Sequence, residues 1–307
     1  MYRLFLTGFL VSFINLSFSQ NLVSVSYDSN ENGVYTIYAL NNDYCNYVIK
    51  VEFDELQNLR PDCTIPYIKE IGPGRTNLFT LQPIRKEGMV SLGYKFSYMK
   101  GCIDPDVKLN FIYLLPVKDG NITEGFEITQ NNLKEYDPDL LNWYSIGFKT
   151  NPGDTIYSAR KGIVFGLKDT SNIQQTDNEY SSQEKFIEIA HDDCSYGRYQ
   201  IFKKVLVKVG QTVEAGEPIG IAGGENYTIG SHLRFSVYYH NFVKTKNNKI
   251  QDLIAKWSFI PLKFHTKESK NAMLVFGEKY TSEHPDSLIT LEMSKRELKK
   301  WKKAHIH

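Results

Sequence analysis

Alternating apolar and polar positions in the first third of the chain predict short β-strands. Tyr47–Phe53 alternates over part of its length, as a strand with one buried face does. Further aromatic and β-branched segments are Val34–Leu40, Leu78–Ile84, Gly93–Tyr98 and Asn110–Pro116. Clusters rich in Asn, Asp, Gly and Pro separate these segments and indicate turns. Short strands at this spacing predict an all-β domain over residues 21–118, a small β-sandwich of immunoglobulin-like type.

The same pattern resumes after a polar segment, residues 119–142, which we interpret as a linker rich in Asn, Asp and Glu. Residues 143–285 predict a second β domain, with candidate strands at Asp154–Ser158, Gly162–Leu167, Phe186–Ala190 and Arg198–Phe202. Residues 207–220 are typical of a tight strand–turn–strand, because their glycines permit backbone conformations that side chains forbid. The polar residues 168–185 predict a solvated loop.

The first twenty residues have the layout of a secretory signal peptide. Arg3 precedes an apolar run from Leu4 to Leu16, and the small residues Ser17 and Ser19 stand two apart before the predicted cleavage point. The alternative is a membrane anchor, but the run is shorter than the roughly 20 residues that span a bilayer. We therefore expect a protein that is secreted, or held in the periplasm or cell envelope.

The last segment, residues 286–307, is basic. Ser294 and Glu297 have the spacing of a capping box, which predicts that a short helix begins there. The basic run Lys295–Lys303 would be able to contact an anionic surface such as lipid headgroups or cell-wall polymers. The alternative is a solvated terminal helix without a partner.

Charge and cysteine content narrow the possible functions. Hydrophobic content of 41% and charged content of 23% are typical of a globular protein, and a formal net charge of +1 argues against binding nucleic acid by bulk charge. Export would permit disulfides among Cys45, Cys63, Cys102 and Cys194. Three of these lie in the N-terminal half, so we expect one bridge among those three. None belongs to a CxxC pair, which argues against a cysteine zinc site.

A histidine and an arginine stand two residues apart after the glycine-rich segment of the second domain. In the run His232-Leu-Arg234 both side chains would project from the same face of a strand. A histidine at the position of Arg234 would give two imidazoles to one metal, whereas a guanidinium repels a metal ion. The pattern therefore predicts the scaffold of a metal site without the means to bind the metal.

Four segments, in this order along the chain, resemble motifs of the lysostaphin/LytM family of zinc endopeptidases, which cut peptidoglycan cross-bridges. They begin at Gly153 (GDTIYSARKGIV), Ile189 (IAHDDCSYGRY), Leu206 (LVKVGQTVEAGEPIG) and Gly230 (GSHLRF). The resemblance implies the duplicated-hybrid-motif fold of that family, with an antiparallel β-sheet, over residues 143–285. It also implies zinc as the family's cofactor.

In that family, zinc is bound by the His and the Asp of an H-x-x-x-D motif and by the second His of an H-x-H motif. The resemblance places these positions at Trp143, Gly147 and Arg234. Family members also use the His of a Y-x-H motif and the first His of H-x-H to polarise the attacking water. Those two positions fall at Ile201 and His232.

We therefore expect neither bound zinc nor an assignable catalytic residue, with His232 as the one retained family histidine. No histidine precedes His191, so no shift of alignment restores the first motif. The alternative is a site rebuilt from His191 and His240, with Asp192 and Asp193 beside the former. A fully extended strand would place His240 about 25 Å from His232, which argues against it.

The residues expected to line the former substrate groove are Trp143, Tyr144, Gly147, His191, Tyr199, Ile201, His232 and Arg234. Trp143 and Tyr144 would either form an aromatic wall for a peptide or sugar or pack in the core. Arg234 would either pair with a carboxylate such as Glu188 and fill the vacated metal position, or recognise a carboxylate of a ligand.

Three functions are consistent with these expectations. The first is a secreted, catalytically inactive homologue that binds peptidoglycan or a cell-wall hydrolase and acts as a binding or regulatory module, as inactive relatives of the family do in general. The second is an active metalloendopeptidase with non-standard ligands. The third is a structural envelope protein whose β domains are only interaction modules. Zinc content distinguishes the second function from the other two.

Overall fold

The structure is a computed structural model, and it describes residues 22–128, 144–169, 184–245 and 250–305. The predicted signal peptide, residues 129–142 of the predicted linker, Trp143 and most of the predicted loop 168–185 lie outside the described residues. The regular secondary structure of the described chain is mostly β-strand, and most strands pair in antiparallel sheets, which confirms the predicted all-β fold class.

The N-terminal domain is a sandwich of two sheets. Its strands are β1 (Val23–Ser29), β2 (Tyr35–Asn41), β3 (Tyr47–Gln57), β4 (Leu59–Pro61), β5 (Tyr67–Ile71), β6 (Gly74–Pro83) and β7 (Ser91–Lys100). One sheet has the order β1-β2-β6-β4 and the other has the order β5-β3-β7. Ile37, Ile49 and Leu81 are fully buried between them, because the apolar alternation turns one face of each strand inward. The four strands predicted between residues 34 and 84 and between 93 and 98 correspond to β2, β3, β6 and β7.

The second domain is built on a larger antiparallel sheet. Its strands are β9 (Ile122–Glu127), β10 (Ile146–Lys149), β12 (Gly162–Lys168), β13 (Phe186–Ala190), β14 (Tyr196–Gln200), β16 (Thr212–Val213), β18 (His232–Phe242), β19 (Ala255–Phe259) and β21 (Lys279–Thr281). Within the described residues, the order is β16-β12-β13-β14-β18-β10-β9-β21, and β19 also pairs with β18.

Two smaller sheets complete the domain. Their strands are β8 (Ile112–Leu114), β11 (Thr155–Tyr157), β15 (Phe202–Val205), β17 (Pro218–Ala222) and β20 (Lys263–His265). Strands β11, β17 and β15 form one sheet in that order, and β8 pairs with β20 in parallel.

Two predicted boundaries are wrong, because apolar alternation does not reveal which core a strand faces. The sequence pattern assigns Asn110–Pro116 to the first domain, yet β8 pairs with β20 and Tyr113 lies in the core of the second domain. The predicted linker 119–142 contains β9, which pairs with both β10 and β21 in the large sheet. The second domain therefore includes chain that precedes residue 119.

A disulfide joins the two domains. It links Cys102 to Cys194, whose Cα atoms are 6.1 Å apart, and Cys45 and Cys63 are not bridged. The expected bridge among the three N-terminal cysteines is therefore wrong. Cys102 follows β7, the last strand of the sandwich, and meets the turn between β13 and β14 at the junction of the domains.

Aromatic packing also closes this domain junction. Phe165 on β12, Tyr196 on β14 and Tyr238 on β18 belong to the same buried cluster as the sandwich core. The ammonium group of Lys100 lies 4.4 Å from the centroid of the Phe165 ring. The carbonyl oxygen of Lys100 accepts a hydrogen bond from Nδ1 of His240 at 2.6 Å. The first domain therefore covers one end of the large sheet.

The C-terminal segment forms two helices, α1 (Asp286–Ile289) and α2 (Lys295–His305). The predicted capping box is present: the Glu297 N–H donates to Ser294 Oγ at 3.3 Å, and the Ser294 N–H donates to Glu297 Oε2 at 2.7 Å. Glu297 also accepts a hydrogen bond from Nζ of Lys161 at 2.6 Å, which holds α2 against the second domain. In the part of the chain that the structure describes, no helix has the length and apolar character needed to cross a bilayer.

A buried arginine lies beneath this segment. Arg160 is fully buried and donates to both carboxylate oxygens of Glu292, at 2.9 and 2.8 Å. It also donates to Oδ2 of Asp193 at 2.9 Å, and its guanidinium carbon lies 4.0 Å from the centroid of the Phe111 ring. The bidentate pair with Glu292 connects the C-terminal segment to the second domain.

Candidate functional site

The large sheet has one face in the core of the second domain and an opposite face, which we call the outer face. On β18, Leu233 and Phe235 belong to the core. Because side chains alternate along a strand, His232 and Arg234 project from the outer face. The histidine and the arginine share one face, as the sequence predicts.

A phenylalanine ring covers the outer face beside Arg234. Gly147 on β10 pairs with Arg234 on one side and with Phe126 of β9 on the other. A Cβ atom on Gly147 would lie 2.2 to 2.6 Å from three atoms of the Phe126 ring, far inside van der Waals contact. The ring therefore fills the space that a side chain at position 147 would need. Its centroid is 5.6 Å from that of the His232 ring.

Arg234 is buried in an ion pair. Its Nη1 lies 3.5 Å from Oε1 of Glu184, and its guanidinium carbon lies 5.3 Å from the centroid of the Tyr227 ring. The Tyr227 hydroxyl donates a hydrogen bond to the same oxygen of Glu184. The Tyr227 ring also makes an edge contact with His232, with ring centroids 5.2 Å apart. The charge of Arg234 is thus compensated inside the protein.

The carboxylate that pairs with Arg234 is Glu184. The sequence analysis suggests Glu188 instead, and that suggestion is wrong. Glu188 accepts hydrogen bonds from Arg198 at 2.8 Å and from the Tyr238 hydroxyl at 2.9 Å. Strand β14 lies between β13 and β18 and places Arg198 directly opposite Glu188. The order of the strands, which the sequence does not reveal, therefore decides the pairing.

His232 is buried and neutral at pH 7. Burial, and to a lesser extent the charge of Arg234, lowers the pKa of His232 to about 4. Its Nδ1 lies 2.7 Å from the carbonyl oxygen of Gly230 and must donate to it, which leaves a lone pair on Nε2. Nε2 is buried and has no hydrogen-bond partner among the described residues.

Ile201 lies next to His232, as the resemblance implies. A Cβ atom on Gly224 would be 2.9 Å from both Cγ2 of Ile201 and Nδ1 of His232, so these two side chains lie against the same glycine. Ile201 has a φ of 75°, in the left-handed region that an isoleucine rarely adopts. This residue separates β14 from β15, where the sequence predicts one continuous strand.

A pocket of about 330 Å³ adjoins the Arg234–Glu184 pair. Ile201, Glu184 and Tyr227 form its inner wall. Lys203 and Glu225 also line it, and they form an exposed ion pair at 3.1 Å. The lining therefore combines cationic, anionic and apolar groups.

Two predicted groove aromatics face the core instead. Tyr199 is fully buried, and its ring centroid lies 4.5 Å from that of Phe235. Tyr144 packs against the same core, and Trp143 lies outside the described residues. An aromatic side chain can pack in the core or line a groove, so the residue type alone does not show which face of the sheet it lies on. The ring that does line the site, Tyr227, comes from the loop before β18.

The histidines considered for a rebuilt metal site lie away from His232. His191 follows β13, and its Nδ1 donates to the carbonyl oxygen of Lys161 at 2.7 Å. Burial, and then the charge of Arg160, lowers the pKa of His191 to about 4. His240 lies at the domain junction, toward the other end of β18. Among the described residues, the one group of three potential metal ligands within reach of each other is Glu70, Cys102 and Cys194, and its cysteines are the bridged pair.

Sequence reasoning missed Phe126, Glu184 and Tyr227. Phe126 and Glu184 reach the outer face from segments interpreted as a linker and a loop, and Tyr227 from the segment before β18, for which the sequence predicts no element. A weak signal that could have identified β9 as a strand is that Ile122, Phe126 and Ile128 are all an even number of residues apart, although Glu124 interrupts the pattern. Glu184 and Tyr227 stand in polar sequence and give no comparable signal.

Sequence comparison relates this geometry to a known family. Residues 142–249 match the profile of Peptidase family M23. This match lies within the second domain, which we call the M23 domain after it. A curated relative, described as an uncharacterized metalloprotease of Buchnera aphidicola subsp. Baizongia pistaciae (strain Bp), is 37% identical over 114 residues. The match covers 36% of this chain and 27% of the relative, so the chain spans little more than a quarter of that protein's length.

Solved structures similar to the chain include M23 peptidases and a complex. The antimicrobial peptidase lysostaphin from Staphylococcus simulans is 22% identical with a TM-score of 0.27, over 41% of this chain and 44% of that one. A chain of a SpoIIIAH–SpoIIQ complex is 19% identical with a TM-score of 0.29, and the match covers 41% of this chain and 90% of that one. A zinc-containing peptidase from Vibrio cholerae is 16% identical with a TM-score of 0.30, and the match covers 69% of this chain and 81% of that one. At these scores the similarity says nothing about substrate or partner.

The residues of the M23 domain do not fit the zinc ion that the family binds. Gly147 offers no donor atom, and the Phe126 ring fills the space in front of it. Arg234 brings a positive charge to another position that the resemblance assigns to a ligand, and the Glu184 carboxylate there is held by Arg234 and Tyr227. Catalytic zinc usually has three protein ligands and a water. The lone pair of His232 Nε2 does not replace them.

We expect Gly147→Ala to destabilise the M23 domain by about 1–3 kcal/mol, because its methyl group would overlap the Phe126 ring and displace it. Urea denaturation followed by circular dichroism measures this. In a Phe126→Ala background the space is free, so the same substitution should cost less than about 0.5 kcal/mol. Equal costs in both backgrounds would show that the ring does not fill this position.

Proposed function

We propose that this protein is an exported, non-hydrolytic member of the M23 peptidase type, which acts by binding peptidoglycan or a cell-wall hydrolase. The observation that carries the proposal is the packing at two positions that the family resemblance assigns to zinc ligands. The Phe126 ring lies over Gly147, and the guanidinium of Arg234 is paired with Glu184 beside it. A site closed by the chain's own side chains has no room for the ion on which hydrolysis in this family depends.

The remaining groups do not supply amide hydrolysis by themselves. In an M23 peptidase the zinc provides a nucleophilic water near neutral pH and stabilises the oxyanion. Here His232 is fully buried, donates its proton to the Gly230 carbonyl oxygen and lies against the rings of Phe126 and Tyr227. It is therefore not exposed to exchange a proton with a substrate. Ile201 provides no second base at the other family position.

The pocket beside the Arg234–Glu184 pair is the surface that we assign to binding. Lys203 and Glu225 place opposite charges at its exposed side, with side chains 59% and 45% exposed. The Tyr227 ring and Ile201 supply an apolar wall. A peptide that carries both ammonium and carboxylate groups, as the stem peptides of peptidoglycan do, fits a lining of this kind.

Two observations support export. The first twenty residues have the layout of a signal peptide. The bridge between Cys102 and Cys194 is of a kind that persists in oxidising compartments outside the cytosol. Export would bring the protein into the compartment where peptidoglycan and its hydrolases are found.

Zinc content and hydrolysis test the lack of activity. We expect that protein dialysed against metal-free buffer and then supplied with zinc retains no stoichiometric metal and releases no fragments from purified peptidoglycan. An active M23 peptidase in the same assay is the positive control. The second candidate function is a metallopeptidase with non-standard ligands. The observation that favours it is the lone pair of His232 Nε2, which has no hydrogen-bond partner among the described residues and is able to bind a metal. Stoichiometric zinc together with fragment release would establish that candidate and overturn the proposal.

Retention on purified sacculi tests the binding pocket. We expect Lys203→Glu to lower retention by about fivefold, which corresponds to one exposed ion pair. Its control is Lys204→Glu, which makes the same charge change one residue further along β15 at an exposed position outside the pocket lining. An equal loss in both variants would indicate attraction by bulk charge. If the unaltered protein is not retained, peptidoglycan is not the ligand, and capture of a purified cell-wall hydrolase then decides between a protein partner and a purely structural role.

A further inference from the structure

Helix α2 presents a continuous cationic face. The helix contains six Lys or Arg residues and one acidic residue, whereas the whole chain has a formal net charge of +1. Projected at 100° per residue, the six cations fall within an arc of about 160°. All six are exposed, and they are Lys295, Arg296, Lys299, Lys300, Lys302 and Lys303.

The opposite face of α2 is fixed against the M23 domain. Leu298 and Trp301 are partly buried on that side. The one acid of the helix, Glu297, accepts a hydrogen bond from Lys161 at 2.6 Å, and this bond lowers the pKa of Glu297 to about 2. Just before the helix, Glu292 is held by the buried Arg160. The chain thus directs the acid of α2 inward and its cations outward.

We propose that this cationic face binds an anionic lipid surface and holds the protein there. Five of its six cations are lysines, which are point charges on flexible stems and lack the rigid fork with which arginine selects a single phosphate. Such a set suits a fluid array of headgroups, whose charges can move to meet the lysines. Because the rest of the chain carries the compensating acids, the attraction acts on α2 and orients the protein with this helix toward the membrane.

The aromatic residue of the helix favours lipid over nucleic acid. Trp301 is partly buried and stacks on His305, with ring centroids 4.5 Å apart, so it is not free to stack on a base. It lies on the side of the helix opposite the cationic face, so that face offers lysines and an arginine but no aromatic platform for bases.

Sedimentation with vesicles tests the proposal. We expect the full protein to bind vesicles of mixed phosphatidylcholine and phosphatidylglycerol, to bind pure phosphatidylcholine vesicles far more weakly, and to be released by salt. Each lysine near the surface contributes about a fivefold factor. Lys299→Glu combined with Lys303→Glu, both exposed and one turn apart, should therefore weaken binding by at least about 25-fold. Circular dichroism checks that the variant remains folded.

A matched variant separates the face from net charge. Lys86→Glu combined with Lys204→Glu makes the same charge change at exposed positions away from α2, and it should alter vesicle binding by less than about twofold. Equal weakening by both variants would attribute binding to bulk charge and overturn the proposal. So would equal binding to neutral vesicles, or an unaltered protein that ignores anionic vesicles but binds a soluble polyanion. The sacculus experiment tests peptidoglycan binding with a Lys203 variant and without lipid, whereas the vesicle experiment tests lipid binding by α2. Failure of one proposal can therefore be distinguished from failure of the other.

Discussion

Arg160→Met is expected to destabilise the protein by about 3–5 kcal/mol, because the buried Asp193 carboxylate would lose its cation. Glu292 would lose a bidentate partner and keep only the exposed Lys108, at 3.0 Å. Arg160 is fully buried, and Asp193 and Glu292 accept its hydrogen bonds at 2.8 to 2.9 Å. Methionine retains much of the side-chain volume, so the measured loss reports charge and hydrogen bonding more than packing. Urea denaturation followed by circular dichroism gives the difference in the free energy of unfolding.

The control for this substitution is Arg198→Met. Arg198 pairs with Glu188 at 2.8 Å in the same sheet, but its side chain is 29% exposed. The Glu188 carboxylate that remains is buried, but it keeps the hydrogen bond from the Tyr238 hydroxyl at 2.9 Å, and only one carboxylate loses its cation. We therefore expect a smaller loss, of about 1–2 kcal/mol. Comparable losses in the two variants would contradict the inference that burial makes the Arg160 network strong.

The effect of Arg160 should become smaller in acid. Burial raises the pKa of Asp193, but the charge of Arg160 and a hydrogen bond from Ser195 outweigh it and lower this pKa to about 2. A carboxyl group with a depressed pKa stabilises the folded state above its unfolded pKa of about 4, and this contribution is lost as the pH falls toward 2. In the variant that lacks Arg160, protonation of Asp193 removes a buried charge that has no cationic partner and so stabilises the folded state. The difference in the free energy of unfolding between the unaltered protein and the variant should therefore narrow as the pH falls from about 5 toward about 2, and a constant difference would contradict this account.

What alternation can predict is which residues of one strand share a face. It places His232 and Arg234 together on β18 because side-chain direction depends only on position along the strand. The family resemblance adds Gly147 and Ile201, since the motifs fix their places relative to β18. These four residues are the part of the site that can be predicted from short segments of sequence.

What alternation cannot predict is which segment lies beside which. The Phe126 ring covers Gly147 because β9 pairs with β10, and that pairing depends on strand order across the whole sheet. The same limit applies to Arg234, whose partner Glu184 lies just before β13 and not on it. The sequence therefore shows which residues stand at the positions that the resemblance assigns to metal ligands, whereas the side chains packed against those positions are found only in the fold.

Loss of the disulfide is expected to lower the free energy of unfolding by up to about 4–5 kcal/mol, because the bridge closes a long loop in the unfolded chain. Cys102 and Cys194 are 92 residues apart. Thermal and urea denaturation of Cys102→Ser combined with Cys194→Ser measures the loss. Reduction of the unaltered protein should reproduce it and should leave the double variant unchanged. Cys63→Ser, at an unbridged and partly buried position, is the control and should cost less than about 1 kcal/mol.

The number of unfolding transitions in the double serine variant distinguishes two ways of joining the domains. Phe165, Tyr196 and Tyr238 of the M23 domain share one buried cluster with the sandwich core. Side chains packed in a common core unfold together, so the variant should still unfold in a single transition at lower denaturant concentration. Two separate transitions would mean that the covalent bridge, and not the shared core, couples the sandwich to the M23 domain. In that case the first domain would cover the end of the large sheet only in an oxidising compartment, and the fold would depend on export.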